Sequence, residues 1–446
     1  MRAFSFVCGG RMDTFEQGRL QEVLASLSGF RQLQVLVGEA GAQAWLVGGC
    51  LRDFCLGLPL VDIDVALTTG CGQIAEKLAD TAGGSWFWLN RSRGQARVQI
   101  PVRKGSGPVC YDLVPLQGCN LMTDLADRDF TINAMALPLQ GDQGLFDPFG
   151  GLRDLKARRL KTTSPEVVSR DPVRILRGLR FSHLLGLEID SLTWELLKRA
   201  APALAEVPGE RLNLEWGKIL TRPVTAELVE AVSCLRLRSI LTDDNESSLT
   251  GLPPGLVRLE RLLEQSPCLT ELAQLPVGSG FSAVALVRLG LLLGTNSNET
   301  GRHLAERLRL STACRKVLLA LAAAASGPEP APGSRSLALW LHRLPGGLPA
   351  SLLIRLVRLD RTVTPAVLDK LCSTSRQLLR DGPPALLLPA EKVAALTGIG
   401  PGPRLGLLLN RLVEAEITGE VRSVEDAEIW LKNHAGNAID KGETDA

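Results

Sequence analysis

The stretch Leu46–Leu67, LVGGCLRDFCLGLPLVDIDVAL, gathers many of the residues able to do chemistry. An apolar strand runs into Gly48-Gly49, and a helical turn carrying Arg52 and Asp53 follows. Glycines between strand and helix let backbone N–H groups approach an anion closely, and a helix start favours negative charge. Asp62 and Asp64 stand two apart on a second strand, so both carboxylates point to the same face. Two adjacent carboxylates repel unless a cation bridges them. Hard oxygen ligands of this kind suit Mg²⁺, which keeps some waters and takes phosphate oxygens as well. A third acid, Asp112 in VCYDLV, lies on a strand able to sit beside the second. Alone, an Asp-x-Asp pair is more often just the solvent side of an edge strand, because two acids two apart are common. Preceded by GGxxRD at this distance, it describes a phosphate cradle, an arginine and a metal-binding carboxylate pair, the set that two-metal nucleotidyl transfer needs.

Those residues must be positioned by short elements. Ala44–Val47, Ile63–Leu67, Trp86–Leu89, Ala96–Ile100 and Val109–Val114 read as strands, with a helix over Ile74–Ala82 to cover one sheet face. Trp86, Trp88 and Tyr111 read as core within those strands. Beyond about Ser164 leucine-rich helical periodicity takes over, with helices predicted over Asp171–Leu185, Leu192–Leu204 and Leu212–Leu220. In the first of these, Ile175, Leu176 and Leu179 share a narrow arc, the buried face, while Asp171, Arg174, Arg177 and Arg180 spread round the opposite half. From Arg153 to Arg180 there are nine basic and three acidic residues, a local net of +6. Earlier, Arg128 and Asp129 open an apolar segment with Asn133 four residues on. On spacing alone this is also a helix start with Asp129 as its N-cap.

The 446 residues predict two to four structural units. With 50 Lys and Arg against 48 Asp and Glu, the formal net charge of +2 excludes a wholly basic nucleic-acid coat but not a local patch. Aromatic residues at 4% are too few for base stacking to be the main chemistry. No run approaches the ~18 apolar residues of a membrane span, and Met1–Arg11 lacks the apolar core of a signal peptide. The ten cysteines contain no CxxC pair and only four histidines accompany them. That pattern excludes a disulfide scaffold and gives no zinc-site spacing, so the expectation is a protein of the reducing cytoplasm with no membrane partner. The sequence does not give an oligomeric state.

Taken together, Leu46–Leu67 resembles the active-site signature of the DNA polymerase β-like nucleotidyltransferases, and more narrowly of the bacterial (class II) tRNA nucleotidyltransferase and poly(A) polymerase family. Leu125–Leu137 (LADRDFTINAMAL) is similar to the family's RDFTxNA block. Phe146–Leu155 (FDPFGGLRDL) resembles its hinge, Arg170–Phe181 (RDPVRILRGLRF) its nucleotide-selecting helix, and Glu210–Glu215 (ERLNLE) the block that follows. The match covers about residues 44–220.

The resemblance implies an α+β fold: a nucleotidyltransferase head with a small mixed sheet, then an all-α neck, body and tail. The expected division is an N-terminal, partly helical extension at 1–43, the catalytic head at 44–150, the neck at 151–220 and the body at 221–325. A linker at 326–336, rich in Pro and Gly, and an RNA-binding tail at 337–446 complete it. The implied activity is template-independent addition of C, A or both to the 3′ end of tRNA. The primer's 3′-hydroxyl attacks the α-phosphorus of CTP or ATP and pyrophosphate leaves. Asp62 and Asp64 would hold Mg²⁺, with Asp112 as general base or third carboxylate. Gly48, Gly49, Arg52 and Arg128 would meet the triphosphate, Asp129 and Asn133 the ribose. Asp171 and Arg174 would read the base, supported by Arg177 and Arg180. The alternatives are a poly(A) polymerase and a catalytically silent RNA-binding paralogue.

Two features depart from the family pattern. The nucleotide-selecting block usually opens with two acids, whereas Arg170 takes the first position here. The loop between Asp112 and Arg128 has 15 residues, shorter than in enzymes that build all of CCA and similar to relatives that add only two cytidines. Downstream, no HD dipeptide accompanies His303, His342 and His434, which excludes the phosphohydrolase domain some relatives carry. Gly398–Gly406 (GIGPGPRLG), with Arg404, is either an RNA phosphate contact or a ligand-free helix entry.

Overall fold

Six strands form one mixed sheet in the order β3-β4-β5-β2-β1-β6: β1 Ala44–Val47, β2 Asp62–Leu67, β3 Ser85–Asn90, β4 Gln95–Ile100, β5 Val109–Pro115 and β6 Ala136–Pro138. Only β2 and β5 run parallel; every other neighbouring pair is antiparallel. The computed structural model describes residues 16–102, 107–118, 120–141, 143–242, 251–295, 297–323, 339, 341–342, 344, 348–359, 363–381 and 386–434. The Pro- and Gly-rich linker expected at 326–336 lies outside the described residues.

Alternation along β2 sets the site. Ile63, Val65 and Leu67 are fully buried in the main core, while Asp62, Asp64 and Ala66 face the other way. The main core takes in α1 (Gln17–Ser26), α2 (Phe30–Glu39) and α4 (Cys71–Ala82) through Leu24, Leu33, Val37, Ile74 and Leu78. Residues 17–39 are therefore part of the head's own core, and Tyr111, fully buried, donates its hydroxyl to the Ser28 carbonyl at 2.8 Å. Trp86 and Trp88 pack against the same core, edge to face at 5.4 Å. Strand β6 was not legible in sequence: its three residues sit inside the longer apolar run AMALPL with no alternation to mark them.

After α3 (Gly49–Cys55) come α5 (Leu121–Ala126), a 3₁₀ turn at Thr131–Asn133, α6 (Gly151–Lys156), α7 (Val167–Arg170), α8 (Arg174–Leu185) and α9 (Ser191–Ala200). The helix expected from Asp171 begins instead at Arg174. Pro172 disfavours the helical region for the residue before it, and Asp171 is extended, φ −145° and ψ 91°. The segment expected to be helical through Leu204 turns 3₁₀ from Ala201, where Pro202 enters.

The chain divides into two compact units at Val207/Pro208. In the second, the helix Ala283–Leu293 is buried almost all round. Its Arg288 is 3% exposed and paired in two hydrogen bonds of 2.7 Å with Glu260, the arrangement a buried charge requires. Leu388, Leu408, Leu412 and Leu431 belong to a separate core cluster, built around the helices Ala390–Thr397, Pro403–Thr418 and Val424–His434. Gly398 ends the first of these in the left-handed region and Arg404 is exposed at the start of the next. Among the described residues no helix is long and apolar enough to cross a membrane.

Candidate active site

Register brings the carboxylates together. Asp64 lies beside Asp112 on the parallel strands β2 and β5, and opposite Val47 at the end of β1. Gly48 follows with φ +72° and ψ −137°, a conformation open to glycine. A Cβ there would stand 2.8 Å from Asp64 Oδ2 and 3.0 Å from Arg128 Nη1. The turn thus admits an acid and an arginine against bare backbone. The Gly49 N–H lies near Asp64 and favours its charged form, and a side chain at 48 would crowd that carboxylate, so the glycine pair seats it. Because α3 has only seven residues, its dipole adds little.

Burial, with Asp112 and Asp62 nearby, pushes the Asp64 carboxyl up to about 6, while Arg128 and the Gly49 N–H pull the other way. Asp62 is more open, its side chain 60% exposed. A carboxylate desolvated beside two others is short of positive charge, which is what a divalent cation supplies. Asp112 has a partner already: Arg97 on β4 donates Nε and Nη2 to its two oxygens at 2.6 and 2.7 Å and stands 3.8 Å from Asp62. Among the described residues no three acidic, Cys or His side chains converge as a ready metal cage. Mg²⁺ does not ask for one, since one or two carboxylates plus waters and substrate phosphates suffice. Asp62 and Asp64 fit that requirement.

A second cluster adjoins the first. Arg52 donates Nη1 to Asn133 Oδ1 at 2.7 Å and pairs with Asp53. Asn133 Nδ2 donates to Asp129 at 2.8 Å, and Arg177 Nε donates to the other Asp129 oxygen at 2.6 Å. Asp129 is 5% exposed. Burial alone would raise its pKa, but Arg177, the Asn133 amide and the Phe130 N–H outweigh that and hold it below the usual carboxylate range. It caps no helix. The guanidinium groups of Arg52, Arg177 and Arg180 lie 4.9, 5.6 and 4.6 Å from the centre of one ring, Phe181. Phe130 meets that ring edge-on at 5.8 Å. Three cations gathered round one aromatic ring concentrate positive charge able to bind an anion.

Arg128 is held by buried Asp124, four residues back, at 2.9 and 3.1 Å. Asp171 and Arg174 stay close, 3.9 Å between Oδ2 and Nε. Arg174 also donates Nη2 to the Asp127 carbonyl at 2.7 Å and Nη1 to the Val167 carbonyl at 3.3 Å. Burial lowers its pKa. Sequence reading missed Arg97, Asp124, Asp127 and Phe181. Only the Asp124–Arg128 pair carried a signal, its spacing of four, although Arg128 lies just past the end of α5.

A mixed sheet with an Asp-x-Asp pair behind a glycine turn and an arginine-lined flank defines a nucleotidyltransferase of the polymerase β type. Residues 44–161 match the Poly A polymerase head domain. The chain is 33% identical to the CC-adding tRNA nucleotidyltransferase of Geobacter sulfurreducens, over 94% of this chain and 96% of that one. It is 30% identical to the A-adding tRNA nucleotidyltransferase of Deinococcus radiodurans, over 88% and 95%. A solved CCA-adding enzyme in complex with CTP shares the fold, with a TM-score of 0.62 and 22% identity over 92% of this chain and 94% of that one. The chain belongs to the tRNA nucleotidyltransferase family.

Proposed function

We propose that this protein extends the 3′ end of tRNA with residues of the CCA terminus, taking CTP, ATP or both as substrates. The observation that carries the reading is the joining of two sites: the Asp62–Asp64 pair seated on Gly48-Gly49, and the Arg52–Asn133–Asp129–Arg177 chain beside it. Asp62 and Asp64 would hold Mg²⁺, which neutralises phosphate charge and makes the primer hydroxyl more acidic when bound. Arg52, Arg128, Arg177 and Arg180 bind the triphosphate, Asp129 and Asn133 fix those arginines and meet the ribose, and Asp171 with Arg174 faces the base. Asp112 acts as the third carboxylate in charge balance, both of its oxygens being held by Arg97. The hydroxyl oxygen bonds to the α-phosphorus and gives its proton to solvent water, while the bond from the α-phosphorus to its bridging oxygen breaks and pyrophosphate leaves with that electron pair. In this reading the head supplies chemistry, residues 151–220 select the nucleotide, and the helical segments beyond grip RNA in the cytoplasm.

The segment between β5 and α5 is only residues 116–120, and the Geobacter relative is CC-adding. Both support addition of the two cytidines as the particular reaction. The test offers CTP, ATP, UTP and GTP separately to tRNAs ending before the triplet, after C and after CC. Two cytidines added and then a stop is the expected result. Unlimited A addition to unstructured RNA would replace this reading with that of a poly(A) polymerase. In the same assay Asp171→Ala and Arg174→Ala should each blur selection against UTP and GTP more than they weaken triphosphate binding, because mismatched bases leave buried donors unpaired.

A further inference from the structure

We propose that Asp127 and Arg170 form a positioning pair that sets the guanidinium of Arg174, and that nucleotide choice depends on it; this rests on the base-reading role proposed for Arg174. Asp127, the residue that closes α5, is gripped at two handles. Its carboxylate accepts from Arg170 Nη1 at 2.8 Å, and its backbone carbonyl accepts from Arg174 Nη2 at 2.7 Å. Arg170 is the last residue of α7 and Arg174 the first of α8, so the two arginines flank the extended Asp171-Pro172 step that offers the second base-facing group. Of the contacts on Arg174, the Asp127 carbonyl is the shortest; the Val167 carbonyl stands at 3.3 Å and Asp171 at 3.9 Å. The plane of that guanidinium therefore follows wherever residue 127 is held.

The turn itself is clamped from outside. The Thr163 hydroxyl lies 3.1 Å from the Ala126 carbonyl and 2.5 Å from the Arg128 carbonyl, fixing the residues on both sides of Asp127. What remains free is rotation and drift of Asp127 relative to α7, and the Arg170 ion pair removes that. The charge of Arg170 is matched within this chain, by the acid that sits across the gap at 127. Both side chains are more than half exposed, so their contribution to folding stability is small. An effect on selection without an effect on melting separates positioning from a merely structural role.

The experiment compares Asp127→Ala, Arg170→Ala, Arg170→Lys, Arg170→Glu and the double exchange Asp127→Arg with Arg170→Glu in the full-length protein. It reads kcat/KM for CTP over UTP on tRNA, and the thermal midpoint. The two alanine variants are expected to lose about fivefold in that ratio, Arg170→Glu more, through repulsion from Asp127. Arg170→Lys should recover part of the loss, and the double exchange should return the ratio to within about twofold of wild type. Thermal midpoints should stay together throughout. Wild-type selectivity in the single variants, or a double exchange no better than Arg170→Glu alone, would overturn the pair. A wild-type protein that shows no preference for CTP or ATP on tRNA would instead overturn the proposed function, so the two failures are distinct.

Discussion

Replacing Gly48 by Ala tests the seating of the carboxylate more sharply than removing the carboxylate does. With φ at +72° and ψ at −137°, an L residue there carries backbone strain of about 1–3 kcal/mol. In a unit of 207 residues, about 2 kcal/mol lowers the thermal midpoint by about 4–8 °C. The new Cβ would also stand 2.8 Å from Asp64 Oδ2 and 3.0 Å from Arg128 Nη1, so both must retreat by several tenths of an ångström. A displacement of about 1 Å at a reacting geometry costs about a hundredfold, and a smaller one at two groups together should cost between about tenfold and a hundredfold. The assay is single-turnover addition of CMP to tRNA lacking its 3′ triplet, alongside calorimetry. Gly57→Ala is the control, because Gly57 has φ +69° but nothing within 4 Å of the new Cβ. It should share the thermal loss and keep the rate. If Gly48→Ala keeps more than half the wild-type rate, or Gly57→Ala loses as much, the glycine does not seat Asp64 in the way the distances suggest.

Asp62→Asn and Asp64→Asn should each lower nucleotide addition at least about a hundredfold with tRNA affinity nearly intact, and Asp64→Asn should raise the thermal midpoint by removing a buried charge beside Asp62 and Asp112. Filter binding and melting curves check both halves. Asp129 titrates below its unfolded value, so the stability it contributes is full above about pH 4 and is lost as pH falls through the folded value. The difference in urea midpoint between wild type and Asp129→Asn should accordingly be large at pH 7 and shrink steeply in acid. With a net charge of only +2, tRNA affinity should rest on a handful of phosphate contacts, each adding roughly −0.7 to −0.9 to the slope of log affinity against log salt; a slope near zero would remove the +6 run at 153–180 from the interface.

Period-two alternation made β2 legible, and with it the shared face of Asp62 and Asp64. The glycine turn was legible because so few other residues allow its dihedrals. Which strand lies beside which was not: Arg97 pairs with Asp112 only because β4 and β5 are antiparallel with residue 97 opposite 112, and no single-strand pattern contains that register. The same holds for Phe181, whose ring collects Arg52 from a segment 129 residues earlier. Helical periodicity placed Ile175, Leu176 and Leu179 inward correctly, yet Pro172 delayed the helix to Arg174, and Asp171 ended up on extended backbone. Local propensity reads faces well; it does not read the contacts by which distant elements lock one another.

The near-neutral chain conceals a site with two poles. On one side Asp64 is raised to about 6 by burial and by neighbouring acids, so positive charge is wanted there. On the other, Arg52, Arg177 and Arg180 gather round the ring of Phe181, with Asp53 and Asp129 as the carboxylates paired to Arg52 and Arg177. A bare cation satisfies only the first pole and a free phosphate only the second. A nucleoside triphosphate carrying a divalent cation satisfies both, and the Arg128 guanidinium, near Gly48 and Asp64 but anchored on Asp124, stands between them. Gathering like charges costs folding energy in the empty enzyme, so the arrangement makes sense only if the ligand returns it. The polarity of the site therefore argues for a metal-bearing triphosphate independently of any motif, and Arg97 belongs to that argument: by neutralising Asp112 it leaves the excess negative charge on the two carboxylates that share one strand.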